Sequence, residues 1–503
     1  MTETVKSVEA LLLEGESLIH QGRPTAAFNL LSQAALLHPS HARLHYLAAL
    51  AMVNCGSLSM GRTHLNTVLK LTSPGDPLHV DALSLNGRIS KEQYARHGAH
   101  DTKQAAAVES LQWYRQAFDQ SRDFFPGINA ATMACLAGEA HESRRLAREV
   151  LLICESTGQP ETDPWAAATM GEVHVLLSNR VLSEHWYRHA VALADNRMGY
   201  WVSMRRQLAL LANKLPLAGD LTACFPIPNV AMFVGHMLDN PGRHTPRFLP
   251  SMVAKVAQQL REAICQMKIG IGYVSLACGS DILFAEALLE QNLEVNIWLP
   301  FRLEDFLQTS VAFAGQEWVD RCHAVLARAT SVSYAIQEPF LGDHLLFEYT
   351  NQLLMGACLT RATQLGVKPF LLAVAAPGGP TLSGGTLDSV QQWRKMGHHA
   401  ECIELDPLSP RPGTSDKSVD GNPTPSFHDA LWYGKRVVRT MLFADMVGFS
   451  KIAEDASPAF LVHFLGKISE VITRSSRPPI FRNSWGDGLF LVFDSFWMQQ
   501  SLR

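Results

Sequence analysis

Two aspartates near the carboxyl terminus have the surroundings that divalent-cation chemistry requires. Residues 436–446, RVVRTMLFADM, read as an apolar strand that delivers Asp445 at its end, and Val447, Gly448, Phe449 and Ser450 follow as a small-residue turn. Asp487 lies 42 residues further on, at the tip of a hairpin written Asn483-Ser484-Trp485-Gly486-Asp487-Gly488. That spacing accommodates one helix crossing and a return on the neighbouring strand. Two carboxylates converging from adjacent strands suit Mg²⁺ or Mn²⁺, hard cations that take few protein oxygens and complete their shells with phosphate and water. Such ions lower the pKa of an attacking hydroxyl and neutralise a leaving pyrophosphate. The N–H groups of Gly448, Phe449 and Ser450 would cradle the phosphates.

A second pattern lies in the middle of the chain. The run KIGIGYVS (268–275) leads into residues 272–281, where Ser275 and Gly279 precede a helix. Further on, AAPGGPTLSGGTLDSV (375–390) places Gly378, Gly379, Gly384, Gly385 and Thr386 between another strand and helix. Small residues at such turns let backbone N–H groups and a helix N-terminus face an anion. Two loops of this kind at the carboxyl ends of adjacent parallel strands form a crevice for a phosphate or nucleotide. Glu304, Asp305, Asp343 and His344 lie between the loops and could serve a ribose or base, with helix capping and surface solvation as their default roles.

The elements that position these groups follow from hydrophobic periodicity. Residues 1–215 read as helix after helix, an α-solenoid. In its first unit Gly15, Ala27, Ala34 and Pro39 fall where a 34-residue helix-turn-helix repeat wants small residues at the crossing and a proline after the second helix. Helical pairs continue at 42–55 with 58–71 and at 165–177 with 183–194. Gly87 and Gly127 would permit close helix approach, and Trp113 and Phe118 would anchor the core. Residues 220–405 alternate apolar strands (268–275, 294–300, 331–336, 370–376) with helices, which predicts a Rossmann-like parallel sheet covered on both faces. Residues 406–430 are rich in Pro, Gly, Ser and Asp and read as a flexible linker. Residues 431–503 read strand, helix, hairpin, a partial ferredoxin-like α+β unit.

Composition narrows the function classes. The 503 residues carry 43 Lys+Arg against 47 Asp+Glu, a net charge of −4, which disfavours a general nucleic-acid binder. Apolar runs such as residues 370–376 fall well short of the ~20 residues of a membrane span. The opening residues carry carboxylates where a signal peptide would be basic and apolar. Nine cysteines without a CxxC pair suit reduced thiols. The expectation is a cytoplasmic multidomain protein with no membrane or nucleic-acid partner.

Three resemblances sharpen this reading. The 34-residue unit resembles a tetratricopeptide repeat, and NGRISKEQY (86–94), WYRQAF (113–118) and FPGINAATMACLAG (125–138) resemble the TRAFs-binding helical region of apoptosis signal-regulating kinases. That resemblance implies protein partners. The paired glycine loops resemble the SLOG superfamily, the Rossmann-like group that includes lysine-decarboxylase-like cytokinin-activating proteins, in a PGG…GT arrangement interrupted by Pro380–Ser383. It implies a nucleotide-type ligand at Ser275, Gly279, Gly378, Gly379, Gly384, Gly385 and Thr386, with a nucleoside-monophosphate hydrolase as a rival role. The block FADMVGFS…WGDG is similar to the first half of a class III adenylate/guanylate cyclase domain, whose pattern reads FxDxxGFT…GDG.

The cyclase resemblance implies that Asp445, Asp487 and the Met446 carbonyl hold Mg²⁺ or Mn²⁺. It also implies that Asn483 faces the base, that a nucleoside triphosphate is the substrate, and that the intact form is a homodimer. Family members carry Lys or Glu at the position of Asn483; an amide can serve either purine, so ATP and GTP stay equally open. The block runs about 70 residues to Arg503 and holds no counterpart of the family's later strands or its transition-state Asn/Arg pair. The expectation is a signalling protein whose 503 residues alone make no cyclic nucleotide. The alternative is a non-catalytic nucleotide-sensing scaffold with a vestigial cyclase segment.

Overall fold

The computed structural model describes residues 7–21, 23–96, 100–195, 197–240, 243, 245–340, 342, 345–376, 384–406, 438–445, 466–475, 478–485 and 488–494. They divide into two compact units, Met1–Ile227 and Pro228–Arg503. The expected linker falls mostly outside the described residues.

The first unit is a succession of helices: α1 (Val8–His20), α2 (Pro24–Leu37), α3 (Ala42–Asn54), α4 (Leu58–Leu71), α5 (Pro77–Arg96), α6 (His100–Ser121), α7 (Phe124–Leu136), α8 (Ala140–Thr157), α9 (Pro164–Leu176), α10 (Arg180–Leu193), α11 (Met198–Ala212) and α12 (Pro216–Leu221). Side chains that satisfy otherwise unpaired N–H groups set several starts: Asp123 accepts from Phe125 N, Asp163 from Ala166 N and Asn179 from Leu182 N. Proline, which needs no donor, opens α2, α9 and α12. The helices cross where side chains vanish. A Cβ on Gly15 would stand 2.6 Å from Leu31, one on Gly87 2.7 Å from the Tyr114 ring, and one on Gly127 2.7 Å from Phe118. Phe118 is fully buried as expected. The other aromatic anchor is Tyr114 (1% exposed), whereas Trp113 is only partly covered, because the buried face of α6 passes through Leu111, Tyr114 and Phe118 at helical spacing.

In the second unit β1 (Asn229–Gly235), β2 (Ile269–Val274), β3 (Glu294–Leu299), β4 (Ser331–Tyr334), β5 (Pro369–Ala375) and β6 (Ala400–Glu404) form one sheet in the order β4-β3-β2-β1-β5-β6. Every pairing is parallel. Parallel neighbours need crossovers. These are supplied by α13 (Val253–Gln266), α14 (Ser280–Leu289), α15 (Leu303–Ser310) with α16 (Gln316–Arg328), α17 (Leu345–Leu365) and α18 (Thr386–Lys395). The central strand is β1, buried along its length, and the expected strand set omits it. The chain steps outward from β1 through β2 and β3 to β4, then returns to place β5 on the other side of β1. Strand order therefore reverses between β1 and β5, and their carboxyl ends frame the crevice where ligands of open α/β sheets bind.

A separate antiparallel sheet, β7 (Thr440–Ala444), β8 (Phe481–Trp485) and β9 (Gly488–Phe493), has the order β7-β9-β8. The helix Gly466–Arg474 lays Ile472 and Ile468 against Leu491, Phe493, Leu442 and Leu489. The opposite face carries Met441, Phe443 and Phe481, all more than half exposed.

Candidate functional site: the reversal of strand order

The residue that leaves β1 is His236. Its N–H donates to Val374 O at 3.0 Å, tying it to β5, and its carbonyl accepts from Ser280 Oγ at 2.8 Å, tying it to the start of α14. The ring lies 3.5 Å through Nδ1 from Thr386 Oγ1, at the start of α18. Its Nε2 is buried and has no hydrogen-bond partner among the described residues. Burial, reinforced by the charges of Arg247 and Arg243, holds the imidazole down at about 3, so the ring is neutral at physiological pH.

Asp281 occupies the first turn of α14. Its Oδ2 accepts from Ala277 N at 3.3 Å, and the nearby Gly235 N–H also favours the charged form. Its Oδ1 is buried and has no hydrogen-bond partner among the described residues. Burial outweighs these donors and pushes the carboxyl up to about 7. His236 and Asp281 are each 8% exposed.

Gly279 makes the close approach possible. It has φ 102°, and a Cβ there would stand 2.8 Å from Leu238 N and 3.1 Å from His236 O. The chain that follows His236 is held by Asp239, whose side chain is 1% exposed. One of its oxygens accepts from Arg247 N at 2.6 Å and Phe248 N at 2.8 Å, while its own N–H donates to Phe248 O at 3.0 Å. The other oxygen lies 3.5 Å from Arg243 Nε. On the far side, Gly384 N donates to Asp388 Oδ2 at 3.0 Å, and Gly384 O accepts from Asn351 Nδ2 at 2.8 Å, which positions Gly385 and Thr386 at the start of α18.

Of the residues expected here, Gly279, Gly385 and Thr386 flank His236 or the α14 and α18 N-termini next to it, with Gly384 beside them and Ser275 directly after β2. Gly378 and Gly379 lie outside the described residues. The glycine-loop pattern points to no role for His236, Asp239, Arg243 or Arg247, and marks Asp281 only as the end of a loop. Asp305 accepts from Arg302 Nε and from Phe340 N, both at 2.8 Å, and so fastens a loop. Glu304 is exposed, and Asp343 and His344 lie outside the described residues.

At the antiparallel sheet, Ala444 pairs with Leu489 and Trp485 with Gly488, so β7 ends at the edge where β8 ends and β9 begins. Asp445, exposed, follows Ala444 there, and Asn483 pairs with Phe490 on β8. An exposed carboxylate at that end is a hard-oxygen donor suited to Mg²⁺ or Mn²⁺. Met446, Gly448, Phe449, Ser450 and Asp487 lie outside the described residues. Among the described residues no group of three or more His, Cys, Asp or Glu side chains is placed to hold a metal ion.

The helical unit has its own buried polar row. Lys91 Nζ on α5 donates to Asn129 Oδ1 on α7 at 2.7 Å and to Gln207 Oε1 on α11 at 3.1 Å. Gln207 Nε2 donates to Glu172 Oε1 on α9 at 2.9 Å, and Thr132 Oγ1 donates to the same carboxylate. Burial lowers the Lys91 amine to about 8 and raises the Glu172 carboxyl. No helix among the described residues is long and apolar enough to cross a membrane.

Comparison with known proteins bears on the helical unit. A family described as Tetratricopeptide Repeats-Sensor matches residues 24–134. The mitogen-activated protein kinase kinase kinase nsy-1 of Caenorhabditis elegans is 30% identical over 128 residues, 23% of this chain; the match spans only 8% of that kinase's length. Among solved structures, a thermophilic TPR protein of Thermus thermophilus is 16% identical, with 40% of this chain and all of that chain covered and a TM-score of 0.33. Pseudomonas aeruginosa pilF is 14% identical, with 43% and 88% covered and a TM-score of 0.30. The amino-terminal part of the chain is a tetratricopeptide-like helical repeat region.

Proposed function

We propose that this chain is a cytoplasmic signal-transduction protein that couples partner docking on its helical repeats to an anionic, nucleotide-type ligand at the β1–β5 reversal. The observation that carries the ligand reading is the meeting of His236, Asp281 and the N-termini of α14 and α18 at that reversal. Helix N-termini stabilise anions, and two buried polar side chains there have an atom with no hydrogen-bond partner among the described residues. The 30% identity over 128 residues to part of a mitogen-activated protein kinase kinase kinase supports the signalling role.

Thermal unfolding of the full chain with nucleoside mono-, di- and triphosphates tests this. A ligand at 100 times its Kd stabilises by about 2.7 kcal/mol, whereas the bare nucleosides should leave the transition unmoved. No shift with any phosphate would remove the reading.

The carboxyl-terminal block extends the proposal to class III cyclase chemistry. In a homodimer with the remaining family elements, Asp445, Asp487 and the Met446 carbonyl would hold Mg²⁺ or Mn²⁺ against a nucleoside triphosphate, with Gly448, Phe449 and Ser450 at the phosphates and Asn483 at the base. The metal would supply charge neutralisation and an activated hydroxyl. The alternative reading keeps residues 431–503 as a non-catalytic part of a nucleotide-sensing scaffold.

A further inference from the structure

The helical unit holds a pair of histidines that the nucleotide reading does not use. His45 stands on α3 and His64 on α4, and their Nδ1 atoms lie 3.0 Å apart. The Nε2 of His45 donates to Pro39 O at 3.1 Å. A carbonyl can only accept, so that nitrogen carries the proton and the Nδ1 of a neutral His45 presents a lone pair. His64 fills the gap between the rings with its own Nδ1 proton. Burial and the neighbouring His45 hold the His64 imidazole below its ordinary value, which favours the neutral, ligating form. Both residues are partly exposed.

A proton therefore sits where a cation would. A histidine that ligates a metal through one nitrogen commonly donates its other N–H to a backbone carbonyl, as His45 does to Pro39. Zn²⁺ bonds imidazole nitrogen at about 2.0–2.1 Å, which sets two tetrahedral ligands ~3.3 Å apart. The rings need only pivot and part by ~0.3 Å to receive it. Neutral nitrogen donors favour Zn²⁺, Ni²⁺ or Cu²⁺ over Mg²⁺ and Ca²⁺, which seek oxygen. A second pair, His185 and His189 on α10, is built differently. Its rings lie parallel with centroids 6.5 Å apart, and His189 Nε2 lies 3.7 Å from Glu161 Oε2. We propose that His45 and His64 bind a late first-row divalent cation, Zn²⁺ foremost, that clamps α3 to α4 with water completing its shell. On binding, His64 gives up its Nδ1 proton and takes one at Nε2, so both rings stay neutral.

Competition between the metal-free full chain and a chromophoric chelator for Zn²⁺ tests this, with Mg²⁺ as the control ion. Wild type should take up Zn²⁺ at a site that His45→Ala and His64→Ala each weaken by about 10-fold or more. The double variant should lose little beyond either single one, because one ion needs both rings. His64→Gln, whose amide can still donate to His45, should lose the site while the metal-free chain still unfolds cooperatively, which separates ligation from a structural hydrogen bond. His185→Ala should leave uptake unchanged. Zn²⁺ uptake that His45→Ala and His64→Ala leave intact would put the ion on other histidines or cysteines and overturn the proposal. A wild-type chain that takes up no Zn²⁺ in the submillimolar range would overturn it as well.

Discussion

Lys91 on α5 and Gln207 on α11 share a 3.1 Å hydrogen bond across 116 residues of sequence. Alternate helices of the repeat region thus converge tightly enough for side chains three pairs apart to meet. Asn129, Thr132 and Glu172 complete the row between them. A buried lysine and carboxylate stay stable only while every member is satisfied.

The row makes helical stability depend on pH. Lys91 titrates near 8 in the fold, against an ordinary lysine value of 10.5. Between those values the unfolded chain binds the proton and the native chain does not, so the Lys91 contribution to stability rises with pH across that window. The urea midpoint of wild type should climb relative to Lys91→Met between pH 8 and 10.5. Glu172→Ala, which leaves the Thr132 and Gln207 donors without their acceptor and removes the carboxylate of the row, should cost about 3 kcal/mol at neutral pH.

Helix crossings set a second expectation. At Gly87 a methyl group would meet the Tyr114 ring at 2.7 Å, whereas at Gly199, in α11, nothing lies within 4 Å. Gly87→Ala should therefore destabilise by about 1–3 kcal/mol. Gly199→Ala should be neutral or stabilise by about 0.5–1 kcal/mol through helix propensity. Equal effects in chemical denaturation would contradict the crossing geometry.

Asp281 gives a pH dependence of opposite sign. Its carboxyl titrates near 7 in the fold and 3.8 ordinarily. Between these values the native state holds the proton more tightly, so the Asp281 contribution falls as pH rises from about 4 to 7. Asp281→Asn, insensitive to pH, should gain on wild type across that window by on the order of 4 kcal/mol. Melting curves at about pH 4.5 and 8 with an unchanged difference between the two proteins would refute the assignment.

For the carboxyl-terminal block, residues 1–503 purified with Mg²⁺ or Mn²⁺ and ATP or GTP should yield no cyclic nucleotide in a mass-spectrometric assay. Turnover that Asp445→Ala abolishes would overturn the scaffold role given to these residues.

How much of this was legible in the sequence varied with the physics. The helix Leu345–Leu365 and the strands at 269–274 and 369–375 follow from apolar periodicity, and Gly87 and Gly127 sit at crossings as their lack of a side chain suggests. The central strand β1 escaped because NVAMFVG is a short apolar run with no alternation, as ready to be helix as strand. Trp113 was expected in the core, yet helical phase turns Tyr114 inward in its place. His236 escaped for another reason. It stands 150 residues before the expected Thr386 and comes beside it only because β5 returns next to β1.

Hydrogen–deuterium exchange of the full chain with and without ADP tests the central claim most directly. Bound ligand should slow exchange at the residues that follow β1, at the first turn of α14 and at the first turn of α18. Protection confined to other segments, or none at ADP concentrations in the millimolar range, would contradict a nucleotide-type site at the β1–β5 reversal.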